Sequence, residues 1–184
     1  MSKTALVILA EGFEEVEAIA PVDLLRRAGV RVTLAGVNFL AVKSSRNIEV
    51  QADMLLKDIQ DLPDAVILPG GLPGATNLAK SGEVAKLVKK MNAAGKLVAA
   101  ICAAPAVVLA PLGILDGKKA TCYPGCEADF SKNTVHSQER VVVDGNILTS
   151  QGPGTALEFA LEIATRLVGK DMADNVRDKM LIKV

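Results

Sequence analysis

The sequence has no tryptophan, one tyrosine and four phenylalanines. A core without many large rings has to be filled by Ala, Val, Leu and Ile, as in buried sheets flanked by helices. Half of the residues are hydrophobic, enough for such a core. Neither sign of charge is in excess, since 21 Lys and Arg face 21 Asp and Glu. That balance argues against a nucleic-acid partner, and no polybasic segment points to a membrane surface. The longest apolar stretches fall far short of a membrane span. The run at 5–10 imitates the core of a signal peptide. It is short, lacks a convincing cleavage site and leads straight into a charged segment, so it reads as a first core strand. Three cysteines without a secretory signal imply free thiols in a reducing compartment, here the cytoplasm. No Gly-x-Gly-x-x-Gly follows the first strand, which disfavours a dinucleotide. The chain shows no repeat, linker or low-complexity segment, and its 184 residues suit one domain, 1–184.

Apolar runs bounded by Gly and Pro alternate with segments of helical spacing. Strands are expected at 4–10, 30–35, 64–68, 97–101 and 118–123, with a further short strand within 48–54. Helices are expected at 14–28, 74–80, 83–94, 155–168 and 171–179, with one or two helical turns in 55–61. Residues 37–50 and 124–138 read as irregular. Arg140 to Thr149 carries a hairpin signal, with Asp144-Gly145 as its two-residue turn. Strands alternating with helices imply an α/β fold, a mostly parallel sheet covered on both faces. In such folds the ligand crevice lies at the carboxyl ends of the strands.

One stretch organises the rest. Leu97-Val-Ala-Ala-Ile101 is a short buried run that ends in Cys102, and Ala103-Ala104-Pro105 then opens a helix in which the proline is tolerated in the first turn. Cys102 therefore sits on a strand-to-helix turn, where amide N–H groups and the helix dipole favour a thiolate. A buried structural cysteine is the other reading. Two more features fall at strand ends, Glu11 to Glu17 and Pro69 to Gly74, and their coincidence favours a functional Cys102.

Glu14, Glu15 and Glu17 open the first helix. For Glu14 and Glu15, complementing the helix dipole is explanation enough. Glu17 shares a helix face with Pro21, Leu24 and Ala28, so it points towards apolar material, and a buried carboxyl tends to stay protonated. It can serve Cys102 as hydrogen-bond donor or as general acid and base. Pro21 cannot donate to the carbonyl of Glu17, which predicts a kink. Gly70-Gly71 serves as a tight turn, or its Gly71 N–H joins that of Ala103 as an oxyanion donor pair. The one histidine, His136, lies in the irregular polar segment, and nothing in its spacing links it to Cys102. Cys122 and Cys126 flank Tyr-Pro-Gly without a matching second pair of ligands, so they read as structural or peripheral thiols. No metal and no cofactor is expected.

Several stretches occur together and in order: Ala5-Leu-Val-Ile-Leu-Ala10 with Glu14-Glu15-x-Glu17, Pro21-Val-Asp-Leu-Leu-Arg-Arg-Ala-Gly29, Leu68-Pro-Gly-Gly71, Ala99-Ala-Ile-Cys102-Ala-Ala-Pro105, and Leu148-Thr-Ser-Gln-Gly-Pro-Gly-Thr155. They cover nearly the whole chain. In these motifs the sequence resembles the ThiJ/PfpI superfamily, in the branch of the parkinsonism-associated protein deglycase and its bacterial relatives. The resemblance implies a flavodoxin-like three-layer sandwich and a homodimer. It makes Cys102 the reactive, oxidation-prone cysteine and Glu17 the carboxyl that hydrogen-bonds it. Gly71 and Ala103 would supply the oxyanion amides, with Gly70, Glu14, Tyr123 and Pro153 among the substrate contacts. Arg46, Asp23 and Arg27 would lie at the dimer interface near the site. Many relatives carry a histidine immediately before the proline that is here Pro124. This chain has Tyr123 there, which puts a Cys–His dyad, peptidase activity and amidotransfer from glutamine in doubt.

Two classes of function follow from that resemblance. One is a cofactor-independent enzyme of the glyoxalase or deglycase type, acting on small aldehydes such as methylglyoxal or on glycated thiols and amines, with Glu17 as proton carrier. The other is a non-enzymatic oxidative-stress sensor and redox-regulated chaperone in which Cys102 is oxidised to sulfinic acid.

Overall fold

The computed structural model describes residues 2–183. In chain order the strands are β1 (Thr4–Leu9), β2 (Arg31–Gly36), β3 (Ala41–Lys43), β4 (Glu49–Gln51), β5 (Met54–Leu55), β6 (Ala65–Leu68), β7 (Leu97–Ile101), β8 (Lys119–Ala120), β9 (Val135–His136), β10 (Val141–Asp144) and β11 (Ile147–Ser150). The α-helices are α1 (Glu15–Arg27), α2 (Gly74–Lys80), α3 (Gly82–Ala93), α4 (Ala156–Val168) and α5 (Lys170–Lys179). Seven strands form the central sheet in the order β10-β11-β7-β6-β1-β2-β5. All pairings in it are parallel except β10 with β11. This is the expected flavodoxin-like α/β sandwich.

Side chains along each inner strand alternate between two cores, as the strand period of two requires. Ala5, Val7 and Leu9 of β1 pack in one cluster with Leu24 and Leu25 of α1, Phe159 and Ile163 of α4 and Val176 of α5. Leu6 and Ile8 pack in the other, with Leu78 of α2 and Val84, Val88 and Met91 of α3. Each fully buried Leu or Ile contributes on the order of 2 kcal/mol relative to exposure. Helix α1 begins where Glu14 caps it, its Oε2 accepting the N–H of Glu17 at 2.8 Å. It ends with Gly29 at φ +78°, and it continues through Pro21.

Several boundaries differ from expectation, each for a tertiary reason. The strand expected at 118–123 is only Lys119–Ala120, because Thr121 turns its N–H to Oγ1 of Thr149 and Tyr123 turns its own to the carbonyl of Cys102. The hairpin turn is Gly145-Asn146, one residue later than expected, since Asp144 pairs with Ile147. Asn146 is held there by Asn92 and the Lys96 carbonyl. The segment read as irregular at 37–50 contains β3, which pairs with β4 in a small hairpin. The expected turns at 55–61 reduce to one 3-10 turn, Leu56–Asp58.

Candidate active site

The chain runs from β1 to β2 on one side of β1 and then crosses to β6 on the other. A crevice at the carboxyl ends of β1 and β6 is the place such a switch creates. Three chain segments reach it: the start of α1, the Gly70-Gly71 turn after β6, and Cys102 after the neighbouring β7.

Strand β7 is buried along its whole length and delivers Cys102 to a sharp turn. The cysteine adopts φ +66°, the left-handed region that non-glycine residues rarely occupy, at a cost of about 1–3 kcal/mol. Two long-range bonds hold it there. Its N–H donates to the Ser150 carbonyl at 2.9 Å, and its carbonyl accepts the N–H of Tyr123 at 2.8 Å. The run that follows is not the expected α-helix. Pro105–Leu109 is wound as a π turn, closed by the Ala110 N–H on the Pro105 carbonyl at 3.0 Å. Such turns concentrate at functional sites.

Glu17 is completely buried in the first turn of α1, and its carboxyl faces Cys102, which is 9% exposed. Oε2 accepts the N–H of Gly70 at 2.8 Å, while Oε1 is buried without a partner in hydrogen-bond geometry. Burial pushes the Glu17 carboxyl up to about 7, opposed by the hydrogen bonds with Cys102 and Gly70 and reinforced by the charge of Glu14. Burial, the facing Glu17 charge and the hydrogen bond to it push the Cys102 thiol up to about 12, while the N–H groups of Gly71 and Ala103 pull it down. The turn amides thus act in the direction the sequence suggests, and burial beside a carboxyl opposes them. Sulfur and carboxyl face each other, so the ionisation of one depends on the charge of the other.

The other expected site residues divide. Gly71 and Ala103 present their N–H groups to the sulfur. Gly70 does not serve as an oxyanion donor, because its N–H is committed to Glu17. Its requirement is steric, since a Cβ there would stand 2.6 Å from the Cβ of Cys102. Glu14 is committed to the N–H of Glu17 as the helix cap and acts on the site through its charge. Tyr123 is exposed, with its ring against Gly152. Pro153 opens a 3-10 turn beside it and is exposed. Asp23 and Arg27 form an ion pair at 2.9 Å along α1, and Arg46 is exposed on the loop before β4.

His136 is exposed on β9, edge-on to Phe130. Cys122, expected to lack further metal ligands, has donor atoms of Glu127 and His136 grouped with its sulfur, all within 4.8 Å of one another. Sequence reasoning missed two residues. Glu15 accepts from Oγ of Ser44 and Oγ of Ser45 and from the Arg46 N–H, which ties the β3–β4 loop to α1. Gly152 walls the crevice: a Cβ on it would lie 3.2 Å from the Tyr123 ring and 3.9 Å from Oε1 of Glu17. The Ser-Ser-Arg loop and the Gly-Pro-Gly run were their only traces in the sequence.

The DJ-1/PfpI family model matches residues 3–166. The Drosophila melanogaster protein dj-1beta is 46% identical over 185 residues, covering 99% of this chain and 98% of its own. Its crystal structure superposes with a TM-score of 0.96 over the whole of both chains. Toxoplasma gondii DJ-1 in an oxidized form also gives 0.96, at 38% identity and full coverage of both chains. A Caenorhabditis elegans protein named glutathione-independent glyoxalase DJR-1.2 is 36% identical over 177 residues, covering 95% of this chain and 94% of its own.

Proposed function

The chain belongs to the DJ-1/PfpI family, and from that premise we propose that it is a cysteine-dependent stress-protection enzyme acting on reactive dicarbonyls, methylglyoxal or its thiol and amine adducts. The observation that carries the reading is the buried Glu17 carboxyl, held near 7 and facing Cys102. A base poised near neutral pH is well matched to general acid–base work. The naming of the Caenorhabditis elegans relative as a glyoxalase supports the same class.

In the proposed reaction, Glu17 takes the thiol proton as the Cys102 sulfur bonds to the aldehyde carbon. The carbonyl oxygen becomes an oxyanion facing the N–H groups of Gly71 and Ala103, then receives the thiol proton back from Glu17, which gives a hemithioacetal and restores the carboxylate. Glu17 removes the proton from that carbon and returns one to the neighbouring carbon, which leaves a thioester. Water hydrolyses the thioester, releasing lactate and the thiol. One methylglyoxal and one water give one lactate, with no external oxidant. Tyr123, in the place of the family's histidine, leaves Glu17 as the base in this scheme.

The protein works in this reading as a single domain and as a homodimer in the cytoplasm. Val16 and Ile19 leave apolar surface exposed on α1, near Asp23, Arg27 and Arg46. Among the described residues no helix is long and apolar enough to cross a membrane. A sensor and redox-regulated chaperone is the second reading. It is favoured by the slight exposure of Cys102 beside a carboxyl able to hydrogen-bond a sulfinate, and by the oxidized form of the Toxoplasma gondii relative.

The test is lactate formation from methylglyoxal by the reduced protein, with buffer and thiol blanks, against Cys102→Ser. Turnover that disappears in the variant supports the enzyme. Turnover no greater than that of Cys102→Ser overturns it and leaves the sensor.

A further inference from the structure

Beyond the Cys102 crevice, the loop from β8 to β10 gathers donors that the proposed reaction does not use. β8 and β9 run parallel, with Ala120 opposite His136. Two residues past Ala120 the chain reaches Cys122, so the pairing brings a thiol and an imidazole to one side of the loop. The 3-10 turn Cys126–Asp129 then brings Glu127 to the same place. One donor atom from each of Cys122, Glu127 and His136 lies within 4.8 Å of the others. We propose that Cys122, Glu127 and His136 form a binding site for a zinc-type divalent cation.

The donor set suits that choice. Thiolate, imidazole and carboxylate together favour zinc over magnesium or calcium, which take oxygen ligands. A tetrahedral zinc ion with ligand bonds of about 2.0–2.3 Å needs donors closer together than 4.8 Å, so loading requires shifts on the order of 1 Å. His136 and Glu127 can make them, since His136 is exposed and Glu127 only partly buried. The buried Cys122 is the fixed point. Ligation replaces the S–H bond of Cys122 with a bond to the cation and releases one proton to solvent. Glu127 is already oriented by the Gly125 N–H, which it accepts at 2.6 Å. The loop also touches the active site, since Tyr123 donates its N–H to the Cys102 carbonyl and Cys126 donates to that of Tyr123.

Cobalt(II) is the probe, because thiolate ligation gives intense ligand-to-metal charge-transfer absorption. The titration uses the full chain carrying Cys102→Ser, which removes the competing thiol. One equivalent of cobalt is expected, with charge-transfer and tetrahedral ligand-field bands that zinc abolishes. Adding Cys122→Ser should remove the charge-transfer band. His136→Gln, at an exposed position that does not threaten folding, should weaken binding at least about tenfold. A band seen with Cys102 present but missing in Cys102→Ser overturns the site, as does binding that neither second substitution changes. Both results are independent of lactate formation, so failure here is distinguishable from failure of the dicarbonyl reading.

Discussion

The N–H of Gly70 donates to Oε2 of Glu17 at 2.8 Å across 53 residues of chain. That bond fixes the carboxyl against Cys102, and the glycine's bare Cα leaves the sulfur-bearing turn its space. One position therefore serves the site twice, through its N–H and through the side chain it lacks.

Gly70→Ala should damage the site without replacing either reacting group. Its Cβ would stand 2.6 Å from that of Cys102, 2.9 Å from Oε2 of Glu17 and 3.0 Å from the Ile101 carbonyl. Overpacking of this kind costs about 1–3 kcal/mol. Denaturant titration should show that loss, and the rate of Cys102 alkylation should change. Unaltered stability and reactivity would contradict the packing described.

Glu17→Gln keeps the shape and removes the base. Under the proposed mechanism kcat should fall by about 10²–10⁴, while the Cys102 thiol stays available to an alkylating reagent. In the parent protein kcat/KM should rise with pH through about 7, because Glu17 must be ionised to take the thiol proton. A flat profile, or full turnover in Glu17→Gln, would remove Glu17 from the chemistry.

Stability should carry the same signature with the opposite slope. The folded carboxyl titrates near 7 against an ordinary value of 4.5, so between those values the native state binds the extra proton. Stability then falls as pH rises from about 4.5 to about 7, by on the order of 3 kcal/mol. Glu17→Gln should flatten this fall. Urea unfolding of both proteins at pH 5 and pH 8 measures it, and identical pH dependence in the two would place the shift elsewhere.

Charge on the exposed face of α1 should break the proposed dimer. Val16 and Ile19 are 49% and 39% exposed, so Ile19→Glu leaves the core alone. Sedimentation velocity should show a dimer for the parent and a monomer for the variant, with thermal stability reduced only through lost association. A monomeric parent protein would refute the dimer outright.

Much of this was legible along the chain. Apolar runs punctuated by Gly and Pro located β1, β6 and β7, the helices between them, and Cys102 on its turn, because burial and turn chemistry are local properties of a segment. The inward face of α1 also placed Glu17 in the core. The partners of those residues were not legible. Only the closure of the sheet, with β6 inserted between β1 and β7, brings Gly70 to Glu17 and Glu17 to Cys102. The same long-range packing bears on the ionisation of the pair, since burial opposes the amides that the turn alone would suggest. Glu15 clasping the Ser44–Arg46 loop, and His136 reaching Cys122 through the β8–β9 pairing, are contacts between segments that no local pattern encodes. The sequence determined which residues are buried, which turn and which can react. The tertiary structure alone decided which of them meet, because proximity across the chain depends on topology and not on propensity.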